Sequence, residues 1–133
     1  MKKLLILTTF LSSLIITSLA NAEWTKVTKR SDGGTYYVDF ERTSRHDGKV
    51  YFWCLKDYGK LGYKGTMSSE IYIEAECGHL RYRFLNQTYY NGPMRSGKTL
   101  HKNHTSEKDW RYPSPNSASE EVLLAVCNHM FDQ

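Results

Sequence analysis

The chain has 133 residues, of which 18 are basic and 14 acidic. A leader over 1–22 would leave 111 residues, room for one domain and not for two. Losing Lys2 and Lys3 with it leaves 16 basic against 14 acidic residues, too weak a bias to point to a nucleic-acid partner.

The leader is read from its own pattern. Lys2 and Lys3 precede an uncharged run from Leu4 to Leu19, and Ala20-Asn21-Ala22 has the small-x-small form of a signal-peptidase site. The run is about 16 residues where a membrane span needs roughly 20. The expectation is a signal peptide over 1–22, cleavage between Ala22 and Glu23, and a single domain over 23–133. No cysteine stands at the junction, so no stable membrane anchor is expected after cleavage. The product would be periplasmic, or secreted to the cell surface.

Ten Tyr and three Trp favour strands over helices, and Gly, Asp and Asn punctuate the chain as in an antiparallel β meander. Trp24 to Lys29 reads as a first strand, followed by a turn at Ser31-Asp32-Gly33-Gly34. Thr35 to Arg42 alternates, with Tyr36, Val38 and Phe40 on one face and Tyr37, Asp39 and Glu41 on the other. After His46-Asp47-Gly48, Lys49 to Tyr58 is apolar on both faces and reads as a central strand. A Gly- and Lys-rich loop spans Gly59 to Thr66. Ser69 to Cys77 and Leu80 to Tyr89 then alternate around Gly78-His79, which predicts a two-residue type II′ turn with positive φ at the glycine. That register sets Glu76 against Arg81 and Glu74 against Arg83 on an exposed face, with Ala75 against Tyr82 and Ile73 against Phe84 on an apolar one. A last strand is expected near Thr99 to Thr105. Beyond Pro113 and Pro115, Ser117-Ala118-Ser119-Glu120 forms a capping box, and Val122, Leu123, Val126, Cys127 and Met130 make one helical stripe.

Three cysteines in an oxidising compartment predict one disulfide and one free thiol. Cys77 shares its inward face with Ile71 and Ile73, and Cys127 lies on the inward stripe of the helix. A Cys77–Cys127 bond would therefore staple helix to sheet, closing a loop of about 50 residues. Cys54, in the central strand, reads as a small buried hydrophobe. The fold class is α+β: an antiparallel sheet of about six strands with a C-terminal helix packed on it.

Residues Gly92 to Thr99 match the phosphate-loop pattern G-x-x-x-x-G-K-[ST] letter for letter. That chemistry requires a buried parallel strand before the loop and a helix after it. The strand before it here alternates as in an antiparallel sheet, and Leu100-His101-Lys102-Asn103-His104 has no helical stripe, so a plain hairpin loop is predicted. His101 and His104 lie at i, i+3 on a strand, on opposite faces, which does not make a metal site. A nucleophilic pair such as Cys54 with His79 lacks an orienting group and an oxyanion site. No catalytic residue, cofactor or metal is predicted. Two loops have the aromatic and cationic character of binding surfaces. One holds Lys56, Tyr58, Lys60, Tyr63 and Lys64; the other holds Arg95, Lys98 and Lys102 with His101. The competing reading of both is a solvated loop.

An ordered set of residues runs through these elements: Trp24, Tyr37-Val38-Asp39, Val50-Tyr51-Phe52-Trp53, Asp57-Tyr58, Cys77, Tyr90, Met94, Gly97, Trp110, Pro113, Pro115 and Cys127. In that order over residues 24–131 they resemble the surface-adhesin protein E family. The resemblance implies a sheet of about six antiparallel strands with a disulfide-tied C-terminal helix. It also implies adhesion to host matrix proteins such as vitronectin and laminin, and a capacity to form a homodimer. This chain differs from the family's namesake in lacking a lipid-bearing cysteine and in carrying Cys54 where an aliphatic residue is expected. The function expected is thus an exported, non-enzymatic binding module whose partner is a protein, either a host matrix protein or an envelope protein. The alternative from another class is a periplasmic inhibitor or immunity protein that caps a partner enzyme.

Overall fold

The computed structural model describes residues 22–131, so residues 1–21 of the leader read from the sequence lie outside the described residues. Seven strands precede one helix: β1 Thr25–Lys29, β2 Thr35–Val38, β3 Ser44–His46, β4 Lys49–Asp57, β5 Ser68–Glu76, β6 Arg81–Tyr90, β7 Thr99–Asn103 and α1 Ala118–Phe131. They form one sheet in the order β1-β2-β4-β5-β6-β7, with β3 also paired to β4, and every pairing is antiparallel.

β2 and β3 are two halves of one interrupted strand along β4. β2 pairs with Cys54–Asp57 and β3 with Lys49–Tyr51. The strand expected to run to Arg42 stops at Val38, because Asp39 caps a 3-10 turn over Phe40–Arg42. The Asp39 carboxylate accepts the Arg42 backbone N–H at 3.3 Å and the Arg42 side chain at 2.6 Å, and its carbonyl accepts the Thr43 hydroxyl at 3.1 Å. These local bonds outcompete the ladder, a recognised habit of Asp. Phe40 still packs on the core.

The β5–β6 register is the one that charge and apolar alternation predict: Glu76↔Arg81, Ala75↔Tyr82, Glu74↔Arg83 and Ile73↔Phe84. The turn is different. Leu80 N–H bonds to the Cys77 carbonyl at 3.3 Å, and the left-handed residue is Leu80 (φ 46), not Gly78. The connection is a four-residue loop rather than a type II′ turn. The alternation also breaks within β6. Phe84 faces Ile73 and Asn86 faces Tyr72, so Leu85 is the extra residue of a bulge, and the face of every later residue is inverted.

The helix covers the sheet face that carries Val38, Val50, Phe52, Cys54, Ile73 and Ala75, and supplies Val122, Leu123, Val126 and Cys127 to the same core. It begins as its cap predicts, with Ser117 Oγ accepting the Glu120 N–H at 3.2 Å; the Glu120 carboxylate takes the Asn116 N–H at 3.1 Å, one residue further out than the usual box. The disulfide joins Cys77 to Cys127, with Cα atoms 5.8 Å apart, and staples α1 to the end of β5. Among the described residues no helix lies over the sheet's other face. Leu55 is fully buried there between Tyr37 and Glu70, which is why β4 needed apolar residues on both sides.

Candidate functional site

The first predicted loop divides into two parts. Lys56 is still in β4, half-buried, with its ammonium over the rings of Tyr36 (5.2 Å) and Tyr58 (4.6 Å). Burial alone would push this ammonium's pKa down; the Tyr36 hydroxyl and the nearby Tyr58 and Asp32 outweigh it and hold it above the usual lysine range. Tyr58 is half-buried with its hydroxyl 3.4 Å from Ser69 Oγ. Both residues root the loop. Lys60, Tyr63 and Lys64 project from it and are exposed, as is Leu61; Tyr63 is 83% and Leu61 70% exposed. The loop holds its shape through Gly62 N–H to the Thr66 carbonyl at 2.8 Å and a short turn over Tyr63–Gly65, with Lys64 left-handed at φ 53 and its ammonium 5.3 Å from the Tyr63 ring. Gly59 must be glycine: it is left-handed at φ 69, and a Cβ there would meet the Gly33 carbonyl at 2.6 Å.

The second loop is a hairpin connection between β6 and β7, as predicted. The amides that would face an anion in a phosphate loop are already committed. Met94 N–H bonds to Asp57 at 3.0 Å and Arg95 N–H to Ser68 Oγ at 3.0 Å, while Ser68 Oγ itself donates to the Gly92 carbonyl at 2.6 Å. The Arg95 guanidinium lies 2.6 Å from Glu70, a carboxylate that is only 8% exposed. Burial raises the pKa of Glu70; Arg95 and Arg42 oppose it without overcoming it. Arg95 therefore holds the loop against the sheet, whereas Lys98 and Lys102 are exposed.

The structure brings the exposed parts of the two loops to one place. Tyr63, Lys64 and Thr66 face Tyr89, Leu100 and His101 across a groove of about 630 Å³. Its floor is firm: Tyr89 donates to Gln87 at 2.5 Å, and its ring stacks on His101 at 6.1 Å between centroids. Tyr89 and His101 share a side of the sheet because they are direct cross-strand partners, and the bulge at Leu85 sets that pair on the side of Ser69.

Sequence reasoning missed a second cluster, on the sheet face opposite the helix. Arg42 lies over Trp24 (5.7 Å) and Trp53 (5.3 Å), and Trp53 stacks on Tyr72 at 4.7 Å. Further along, Trp110 lies against the guanidinium groups of Arg81 (4.5 Å) and Arg83 (4.3 Å) and the ammonium of Lys49 (5.9 Å). The Glu74–Arg83 and Glu76–Arg81 pairs, expected to be exposed, are thereby shielded: Glu74 is 6% exposed, and Arg83 and Lys49 both approach it, at 2.9 and 3.4 Å. Trp53 was legible on this face from β4 parity. Trp110 was not, since its segment is set beside β6 only by tertiary contacts, the bridge of Arg111 to Tyr82 and the hydrogen bonds between Glu107 and Phe84.

Among the described residues no group of His, Cys, Asp or Glu is arranged to hold a metal ion. Cys54 is free and buried, and burial pushes its thiol up to about 12, with Lys56 pulling weakly the other way. It is a neutral thiol at physiological pH and a poor nucleophile.

Comparison with known proteins agrees with this architecture. The family model described as "Surface-adhesin protein E" matches residues 24–128. No curated protein matches the chain. Solved structures of Haemophilus influenzae protein E share the fold: one aligns with a TM-score of 0.60 at 14% identity, covering 85% of this chain and 89% of that one. A second crystal form gives a TM-score of 0.59 at 15% identity over 80% and 88% of the two chains, and a selenomethionine form 0.58 at 16% over 80% and 87%.

Proposed function

The chain belongs to the surface-adhesin protein E family, an adhesin-like surface protein family, and on that premise we propose that it is a non-enzymatic binding module for host extracellular-matrix proteins. Its contact surface in this reading is the groove between the two loops, with Tyr63 and Lys64 on one bank and Leu100 and His101 on the other, together with the exposed Lys60, Lys98 and Lys102 of the same segments. Lys56, Tyr58 and Arg95 hold the banks in place. The observation that carries the reading is the groove itself, which gathers exposed aromatic, aliphatic and cationic groups from both segments onto a firm floor. Interfaces are anchored by a few such residues, with aromatic side chains prominent among them.

The test is capture of the mature chain on immobilised vitronectin and laminin, the matrix proteins that the family resemblance implies. Tyr63→Ala should weaken capture about tenfold, the loss of one anchor worth about 1–2 kcal/mol. A combined Lys60→Glu, Lys64→Glu, Lys98→Glu and Lys102→Glu variant should abolish it. Capture unchanged in both variants would remove the groove as the binding site.

A further inference from the structure

We infer that the groove takes an extended, acidic segment of a protein partner, which adds as a strand along the outer edge of β7; this rests on the binding reading above and specifies the partner's chemistry. β7 ends the strand order, with no further strand beyond it among the described residues. Alternate N–H and C=O groups of Thr99–Asn103 therefore face outward, a ready template for pairing. The sheet's other edge is β1; both edge ladders are interrupted, β7 at Leu100 and β1 between Lys26 and Thr28, so it is the groove beside β7 that distinguishes the two edges.

The groove reaches that open edge through Leu100 and His101. A strand laid along β7 would place every second side chain over it, which is how strand addition combines backbone affinity with side-chain specificity. Tyr63, Tyr89 and Leu100 give the groove an apolar share beside Lys64, Thr66 and His101, so those side chains should be aromatic or aliphatic.

Charge sets the remaining positions. Residues 58–69 and 91–105, the segments that supply both banks, contain no Asp or Glu at all. They carry Lys60, Lys64, Arg95, Lys98 and Lys102, and only Arg95 is in an ion pair among the described residues. Asp57, at the root of the first loop, is taken up by the amides of Gly59 and Met94. Lys64 lines the groove, and Lys60, Lys98 and Lys102 stand on the segments beside it, Lys102 on the other face of β7 from His101; none of the four is in an ion pair among the described residues, and a partner rich in Asp or Glu supplies what is missing. A sulfated glycan would also satisfy the lysines. It has no row of N–H and C=O groups to match the strand edge, and so the peptide is favoured.

The experiment uses the full mature chain and a synthetic peptide of about eight residues, alternating Glu with Leu and Tyr. Binding should shift the amide NMR signals of Thr99–Asn103. N-methylation of the peptide amides along one edge should weaken it at least about tenfold, the equivalent of one or two lost backbone hydrogen bonds, while methylation along the other edge should leave it unchanged. Equal affinity of both methylated peptides would overturn strand addition. A heparin oligosaccharide that binds where the peptide does not would overturn it in favour of a glycan, and no binding by either would overturn it as well. Tyr63-dependent matrix capture alongside a failed peptide would sink this inference alone; matrix capture indifferent to the groove variants would sink the proposed function itself.

Discussion

The Cys77–Cys127 bond should supply a large share of the domain's stability. It closes a loop of 50 residues between the end of β5 and the middle of α1. In the chain-entropy description a loop of that length restricts the unfolded chain by about 4 kcal/mol at 25 °C. A domain of this size is held by only about 5–15 kcal/mol in all. Cys77→Ser and Cys127→Ser should each lower the unfolding free energy by about 3–4 kcal/mol, and the double variant should fall close to the singles, since all three lose the same bond. Urea melts of the four proteins, read by tryptophan fluorescence and circular dichroism, measure this directly. Single variants that lose under about 1 kcal/mol would refute the reasoning, because the helix would then be held by its apolar stripe alone. So would a double variant much less stable than either single, which would mean that the two sulfurs act independently.

Cys54→Ala should cost about 1 kcal/mol, because the thiol side chain lies beside a small apolar cavity of about 50 Å³ between sheet and helix that would enlarge; thiol labelling of the folded protein should be negligible and should reach one thiol per chain on unfolding. Trp110→Ala should cost about 2 kcal/mol or more, through lost burial and the uncovering of Arg81 and Arg83, measured by urea melts. Glu107 is held below the usual carboxylate range, first by its hydrogen bond from Arg111 and then by the Phe84 amide, with burial opposing. Its stabilising contribution is therefore complete above the unfolded value near pH 4.3 and is lost as pH falls through the lower folded value, so Glu107→Gln should cost about 1 kcal/mol at pH 7 and nothing well below pH 4; a constant difference across pH would contradict that.

What the sequence made legible depends on how local the deciding interaction is. The β5–β6 register could be read because two independent patterns agree: opposite charges at Glu74, Glu76, Arg81 and Arg83 on one face, and Ile73, Ala75, Tyr82 and Phe84 on the other. A slip by one residue would have broken both. The disulfide followed from the same parity, carried from Cys77 to the inward stripe of α1. The end of β2 was hidden because Phe40 keeps the apolar parity of a continuing strand; the countersignal was Asp39, a residue that caps a turn as readily as it occupies a strand edge. The bulge at Leu85 had no glycine to mark it. It nevertheless matters for the site, since it sets Tyr89, with its partner His101, on the same side of the sheet as Ser69. The same division separates the site residues. The lysines of both loops and the tyrosines of the first were visible as composition. Which of them are free was not, because Lys56 is claimed by Tyr36, and Arg95 by Glu70, only after β2, β4, β5 and the 91–98 hairpin have come together. Binding surfaces of this kind are what remains once the folded chain has satisfied its own charges. The sequence can show which residues are candidates, but the pairing of the strands determines which are left over for a partner.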